Sequence, residues 1–135
     1  MTDKEMVEAA RRARLYAYSP YSGFRVGACL KAASGKIYCG CNVESVSFTP
    51  TCCAERTALF AAVAAGDREF ESIAVACDGK KAVWPCGVCR QALVEFAPDL
   101  EVIVAAESGG WEKARLSELL PHAFKDYKEN EVRDD

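Results

Sequence analysis

Two short stretches hold residue types that can do chemistry together: Cys53-Ala54-Glu55 and Pro85-Cys86-Gly87-Val88-Cys89. Cys86 and Cys89 are three residues apart, so at the start of a helix both sulfurs lie on one face. Proline suits the head of that helix because its missing N–H is not needed there. The partial positive charge of a helix N-terminus favours thiolate, the form that binds a soft divalent metal. Cys53 likewise opens a helical stretch, so two helix starts can converge on one ion and offset its anionic ligands. Three thiolates on Zn²⁺ leave one net negative charge, which weakens the metal's ability to acidify a water. A cation is therefore expected nearby. Arg56 is placed to hydrogen-bond a cysteine sulfur and withdraw charge from it, and Arg90 is a second candidate. Taken alone, C-x-x-C also fits a redox pair or half of a structural zinc site. A closed four-thiolate site that drew in Cys52 would leave no position for water and no work for Glu55. Cys52 is instead read as a structural or interface residue.

The remaining composition narrows the setting. A chain of 135 residues suits one domain spanning 1–135. Its content, 50% apolar and 27% charged, excludes wholesale disorder. No apolar run approaches the ~18 residues of a membrane span. The first residues, MTDKEMVEAARRAR, read as a charged helix and not as a secretory signal. The eight cysteines are therefore expected to be reduced thiols of a cytoplasmic protein. A net charge of −3 argues against a surface built to neutralise the phosphates of nucleic acid. Cys29, Cys39, Cys41 and Cys77 lie in strand-like runs and are expected to act as small core residues. His122, the single histidine, is expected to be solvated, and Trp84 and Trp111 to serve packing or interfaces.

The elements that must position these residues follow from periodicity. Residues 3–17 place Met6, Ala9, Ala10, Ala13 and Ala17 on one helical stripe. Turn chemistry at Ser19-Pro20-Tyr21-Ser22-Gly23 ends that helix. Residues 24–30 and 36–41 read as two strands joined by a Ser34-Gly35 turn. Residues 42–52 are irregular. Residues 53–65 are helical, with Gly66 as the stop. The run 72–77 is almost wholly apolar and reads as a strand buried on both faces. A helix over 86–96, a strand over 101–106 and a short helix over 116–120 follow, and the tail from 125 onward is charged and frayed. Strands alternating with helices after an initial hairpin predict a three-layer α/β/α domain with a mixed sheet of about five strands. The fifth strand is not located by its sequence.

The order C-A-E then P-C-G-V-C resembles the signature of zinc nucleobase deaminases, with cysteine in the histidine's place. The chain resembles the small homotetrameric cytidine deaminases of nucleoside salvage over nearly its whole length. The resemblance rests on Tyr18-Ser19-Pro20-Tyr21-Ser22 with Phe24, Val26-Gly27-Ala28 and Gly40-Cys41-Asn42-Val43-Glu44. It continues through Cys53-Ala54-Glu55-Arg56-Thr57-Ala58, Pro85-Cys86-Gly87-Val88-Cys89-Arg90-Gln91, and Glu118-Leu119-Leu120-Pro121 with Phe124. It implies one Zn²⁺ per chain on Cys53, Cys86 and Cys89, with hydroxide generated at the metal attacking C4 of the pyrimidine and Glu55 moving protons. It implies that Asn42 and Glu44 hold the ribose, that Phe24 packs on base or sugar, and that backbone around Ala54 and Cys86 reads the base edge. Arg56 and Gln91 would stand beside the ligands. Phe48 and Phe124 would come from neighbouring subunits of a homotetramer. Two positions depart from the family pattern: Ser45 stands where Asn is usual, and Phe48 near a usual Tyr. The lost phenol bears on sugar preference, and leaves modified cytosine nucleosides or nucleoside antibiotics as alternative substrates.

Overall fold

The computed structural model describes residues 1–125. The elements run α1 (Asp3–Arg14), β1 (Val26–Ala32), β2 (Ile37–Cys41), α2 (Ala54–Ala64), β3 (Phe70–Cys77), α3 (Gly87–Val94), β4 (Glu101–Ala105), β5 (Trp111–Arg115) and α4 (Leu116–Leu119). The strands form one sheet in the order β2-β1-β3-β4-β5. β1 is antiparallel to both β2 and β3, β3 and β4 are parallel, and β5 returns antiparallel to β4. No helix among the described residues is long and apolar enough to cross a membrane.

Side-chain alternation along the central strands builds two cores. Ala28 and Leu30, Ile73 and Val75, and Val102 and Val104 face α2 and α3, where they meet Ala54, Ala58, Leu59 and Leu93. Cys29, Ala74, Ala76, Ile103 and Ala105 face α1, where they meet Met6, Val7, Ala9 and Ala10. β3 is thus buried on both sides, as its unbroken apolar run predicts. α1 opens with a capping box: Thr2 accepts from the Glu5 amide, and the Glu5 carboxylate accepts from the Thr2 amide at 3.0 Å.

Both helix–sheet contacts are closer than any side chain permits. A Cβ on Gly27 would lie 2.1 Å from the Ala10 carbonyl oxygen. A Cβ on Gly40 would lie 2.5 Å from the Ala58 amide nitrogen and 2.6 Å from the Ala54 carbonyl oxygen. Backbone therefore rests on backbone at these two points. Polar groups fix the far end of α1. Asp78 accepts from Arg14 and, at 3.0 Å, from both the amide and Nε of Arg25. Burial alone would raise its carboxyl, but the Arg25 hydrogen bonds and the two guanidinium charges outweigh that and hold it below the ordinary range.

Several expectations are corrected. α1 ends at Arg14 and not at residue 17, and Val7 joins the buried stripe while Ala13 stays half-buried. Cys39 is exposed and Cys41 half-buried, because among the described residues β2 is an edge strand with no neighbour beyond it; Cys29 and Cys77 are core residues. The fifth strand is Trp-Glu-Lys-Ala-Arg, a charged edge that carries no apolar signal. Its Lys113 pairs with Asp3 at 2.8 Å and Glu101 at 2.6 Å. The tail is outside the described residues from 126 on.

Two outcomes follow. Gly40→Ala should lower stability by about 1–3 kcal/mol in urea denaturation, since backbone must shift to admit the methyl; unchanged stability would refute the close contact. Asp78→Asn should cost about 1–3 kcal/mol near neutral pH. Because the folded-state pKa lies below the unfolded one, the carboxylate's contribution is complete above about pH 5 and fades as pH falls through the lowered value. The difference between parent and variant, followed by denaturation down to about pH 3, should shrink accordingly.

Candidate metal centre and adjoining cleft

Cys53 and Cys86 are the N-cap residues of α2 and α3, with extended backbone (ψ 155° and 165°) and no side-chain cap bond. Their thiols are therefore free of the helix backbone. Cys89 lies in the first turn of α3 and is fully buried. The three Sγ atoms all lie within 4.8 Å of one another, the only such ligand group among the described residues. Cys53 Sγ and Cys86 Sγ are 3.8 Å apart. A tetrahedral zinc with Zn–S bonds of about 2.3 Å requires sulfurs about 3.8 Å apart, so the donor set fits that ion in both chemistry and spacing.

The charges in this cluster are interdependent. A hydrogen bond from Cys89 holds the Cys53 thiol down, to about 5, against burial, with Arg56 and Cys86 adding to the effect. The Cys89 thiol is pushed up correspondingly, first by that shared proton and then by burial. Arg56 Nη2 donates to Cys53 Sγ at 3.5 Å. Glu55, in the first turn of α2, is 4% exposed. Burial, reinforced by the negative charge at Cys53, raises its carboxyl to about 7. A carboxyl there can both take and give a proton near neutrality.

Beside the sulfurs opens a cleft of about 300 Å³, lined by Ser22, Phe24, Val26, Asn42, Glu44, Thr51, Cys52, Cys53, Ala54, Glu55, Val75, Val83, Trp84 and Cys86. Two of the sulfurs and the Glu55 carboxylate share this lining with Asn42 and Glu44. Asn42 uses both ends of its amide on backbone: Oδ1 accepts from Val26 N at 2.8 Å, and Nδ2 donates to the Phe24 carbonyl at 2.9 Å. The Glu44 carboxylate accepts from the amides of Tyr21 (3.0 Å) and Ser22 (3.1 Å) and from the Ser22 hydroxyl. The Ser22 bond, with the two amides, holds Glu44 ionised below the ordinary range despite some desolvation. Phe24 stands at the rim. A larger hollow of about 430 Å³ between α1, β2 and α2 contains no such ligand group, so the chemistry belongs to the smaller cleft.

Two residues considered for a place beside the sulfurs lie elsewhere, and two expected from neighbouring subunits lie outside this chain's own cleft. Arg90 does not reach sulfur: its Nε donates to the Pro85 carbonyl and its Nη1 to the Leu119 carbonyl, both at 2.7 Å. One step along a helix from Cys89 has turned it away. Gln91 is turned further, and its Nε2 donates to the Phe124 carbonyl at 2.6 Å. Phe124 and Phe48 are 59% and 72% exposed, and neither lines this chain's cleft. Phe48 has φ 62° and meets Tyr21 edge to face. Conversely, the cleft is also lined by Ser22, Val26, Thr51, Cys52, Val75, Val83 and Trp84, to which the sequence assigns no place there. Val75 was accessible from alternation in β3, since it shares a face with Ile73.

The family model described as the cytidine and deoxycytidylate deaminase zinc-binding region matches residues 1–106. A cytidine deaminase of Sporosarcina psychrophila is 43% identical, covering 92% of both chains. One from Halalkalibacterium halodurans is 45% identical over 90% of this chain and 94% of its own. A crystal structure of cytidine deaminase from Burkholderia pseudomallei superposes with a TM-score of 0.88 at 47% identity, over 92% of this chain and 100% of that one.

Removing the guanidinium should loosen the ion. Arg56→Ala should weaken zinc retention about 10–100-fold in a chelator competition; unchanged retention together with unchanged turnover would show Arg56 to be an ordinary partly buried arginine.

Proposed function

The chain belongs to the family of zinc-binding cytidine and deoxycytidylate deaminases, and from that membership we propose that it hydrolyses cytidine and deoxycytidine to uridine and deoxyuridine, releasing ammonia. The observation that carries the reading is the buried Glu55 carboxyl beside three convergent thiols, in a cleft that Asn42 and an ionised Glu44 also line. Similarity to cytidine deaminases along both chains supports the same substrate.

Cys53, Cys86 and Cys89 would hold the metal, leaving the fourth direction open to water. When bound, zinc supplies the Lewis acidity that makes water nucleophilic near neutral pH. Arg56 drains charge from the Cys53 sulfur and so limits the loss of that acidity. Glu55 takes a proton from the attacking water and gives it to the pyrimidine N3; it then takes the remaining proton from the hydroxyl added at C4 and passes it to the amine, so that the carbonyl forms as the C4–N bond breaks and ammonia leaves. Its burial matters here, since an exposed glutamate would be too weak a base to take the proton and too fully ionised to have one to give near pH 7. Phe24 offers a face to the base or sugar, and backbone at Ala54 and Cys86 reads the base edge. Glu44 and Asn42 receive the ribose hydroxyls. With three donors already on Glu44 and backbone on both ends of the Asn42 amide, their remaining capacity points into a fixed geometry.

The site is completed in a homotetramer, with Phe48 and Phe124 contributed by neighbouring subunits. Their exposure, and their absence from the lining of this chain's own cleft, support that arrangement. Phe48 lacks a phenol, so the sugar there meets an apolar edge.

Glu55→Gln should lower turnover of cytidine about 10²–10⁴-fold while one zinc per chain is retained. Loss of the ultraviolet absorbance of cytidine, deoxycytidine, cytosine and CMP, measured beside metal content, checks both. Near-normal turnover in the variant would overturn the role of Glu55; zinc-loaded parent that turns over none of the four would leave a zinc-stapled binding module as the better description. Sedimentation of a fully active monomer would overturn the shared site.

A further inference from the structure

Apart from the three clustered sulfurs, five cysteines remain, and only two of them face each other. Cys29 on β1 is the antiparallel partner of Cys39 on β2. The backbone bonds fix the kind of pairing. Ala32 N donates to Lys36 O at 2.9 Å, and Asn42 N donates to Val26 O at 3.1 Å, so the even-numbered β1 residues sit at hydrogen-bonded positions. Cys29 and Cys39 therefore form a non-hydrogen-bonded pair, in which facing Cα atoms are about 4.5 Å apart and side chains are nearest. That separation is inside the range disulfides occupy, about 4.4–6.8 Å.

The pair is also asymmetric. Cys29 is 0% exposed, whereas Cys39 is exposed on the edge strand. Cys39 lines the hollow between α1 and α2 together with Arg12, Tyr16 and Thr57. A hydrogen bond from Cys29 and the Arg12 charge bring the Cys39 thiol down to about 6, against some desolvation, while Cys29 is pushed up. An accessible thiolate with a buried second thiol beside it is the arrangement that peroxide-sensitive pairs require. The other candidates lack a partner. Cys41 faces Gly27, and Cys77 donates its thiol to the Lys81 carbonyl.

We propose that Cys29 and Cys39 form a thiol modification site separate from the metal centre, where a peroxide oxidises Cys39 and Cys29 then closes a reversible disulfide across the hairpin. In the first step the Cys39 thiolate attacks one peroxide oxygen, the O–O bond breaks, and hydroxide leaves, giving a sulfenic acid. In the second, the Cys29 sulfur attacks the Cys39 sulfur, the S–O bond breaks, and the departing hydroxide takes the Cys29 proton as water. Two thiols are oxidised by two electrons and one hydrogen peroxide is reduced to two waters. A small thiol returns both sulfurs to the starting state by exchange.

This site does not depend on the deaminase reading, and its test uses no turnover. Zinc-loaded, assembled protein is treated with hydrogen peroxide, alkylated with N-ethylmaleimide and digested with trypsin, which cuts at Lys31 and Lys36 between the two cysteines. Mass spectrometry without reduction should find the two hairpin peptides linked through Cys29 and Cys39, and dithiothreitol should separate them. Cys39→Ser should abolish the link. Cys29→Ser should leave the Cys39 sulfenic acid unresolved, so that dimedone labelling at Cys39 rises several-fold over the parent. Absence of the link, its persistence in Cys39→Ser, a bond from Cys39 to another thiol, or a product dithiothreitol does not reverse would each overturn the proposal.

Discussion

The position of α2 against the sheet is set by a contact that leaves no room for one carbon atom. At Gly40 the β2 backbone lies against the Ala54 carbonyl and the Ala58 amide. These are the first turns of the helix, so the contact fixes the very end that carries Cys53 and Glu55. The packing is mechanical, and its result is electrostatic: one helix N-terminus is held where a second, that of α3, can meet it. A cluster of thiols would otherwise repel itself apart on ionising. Two helix ends, the Arg56 guanidinium and shared protons make the cluster tolerable before any cation arrives.

Glu55 illustrates how position decides chemistry. Glu44 and Glu55 are the same residue eleven positions apart. Glu44 sits near water and accepts three hydrogen bonds, so it stays a fixed anion. Glu55 is enclosed beside sulfur, and burial leaves it near the balance point between its two forms. One carboxyl of the cleft is thereby suited to holding and the other to transferring.

Much of this was legible in the residues. Cys53 and the Pro85–Cys89 run named the ligand group, because spacing on a helix start converts directly into a shared face. The apolar run at 72–77 named the doubly buried central strand. What failed, failed for identifiable reasons. β5 is an edge strand stabilised by ion pairs at Lys113, and periodicity reports burial, not pairing. Cys39 looked like a core residue because sequence order does not reveal which strand ends a sheet. Arg90 and Gln91 follow Cys89 directly, but a helix turns about 100° per residue, so neighbours in sequence point apart. The lining residues Ser22, Thr51 and Trp84 come from three separate segments, and only the fold brings them to one wall.

Asn42 behaves like an extra rung of main chain. Its amide offers one donor and one acceptor to the Phe24–Val26 segment, the pairing a neighbouring strand would provide. An aspartate has the same outline but could supply only the accepting half, and a serine would be too short to span both groups. The cleft wall at Phe24–Val26 is thereby stitched to the end of β2 by two hydrogen bonds and not left as a free loop. On the proposed reading, discrimination among sugars becomes a question of fit to a template already set rather than of a flap that adapts.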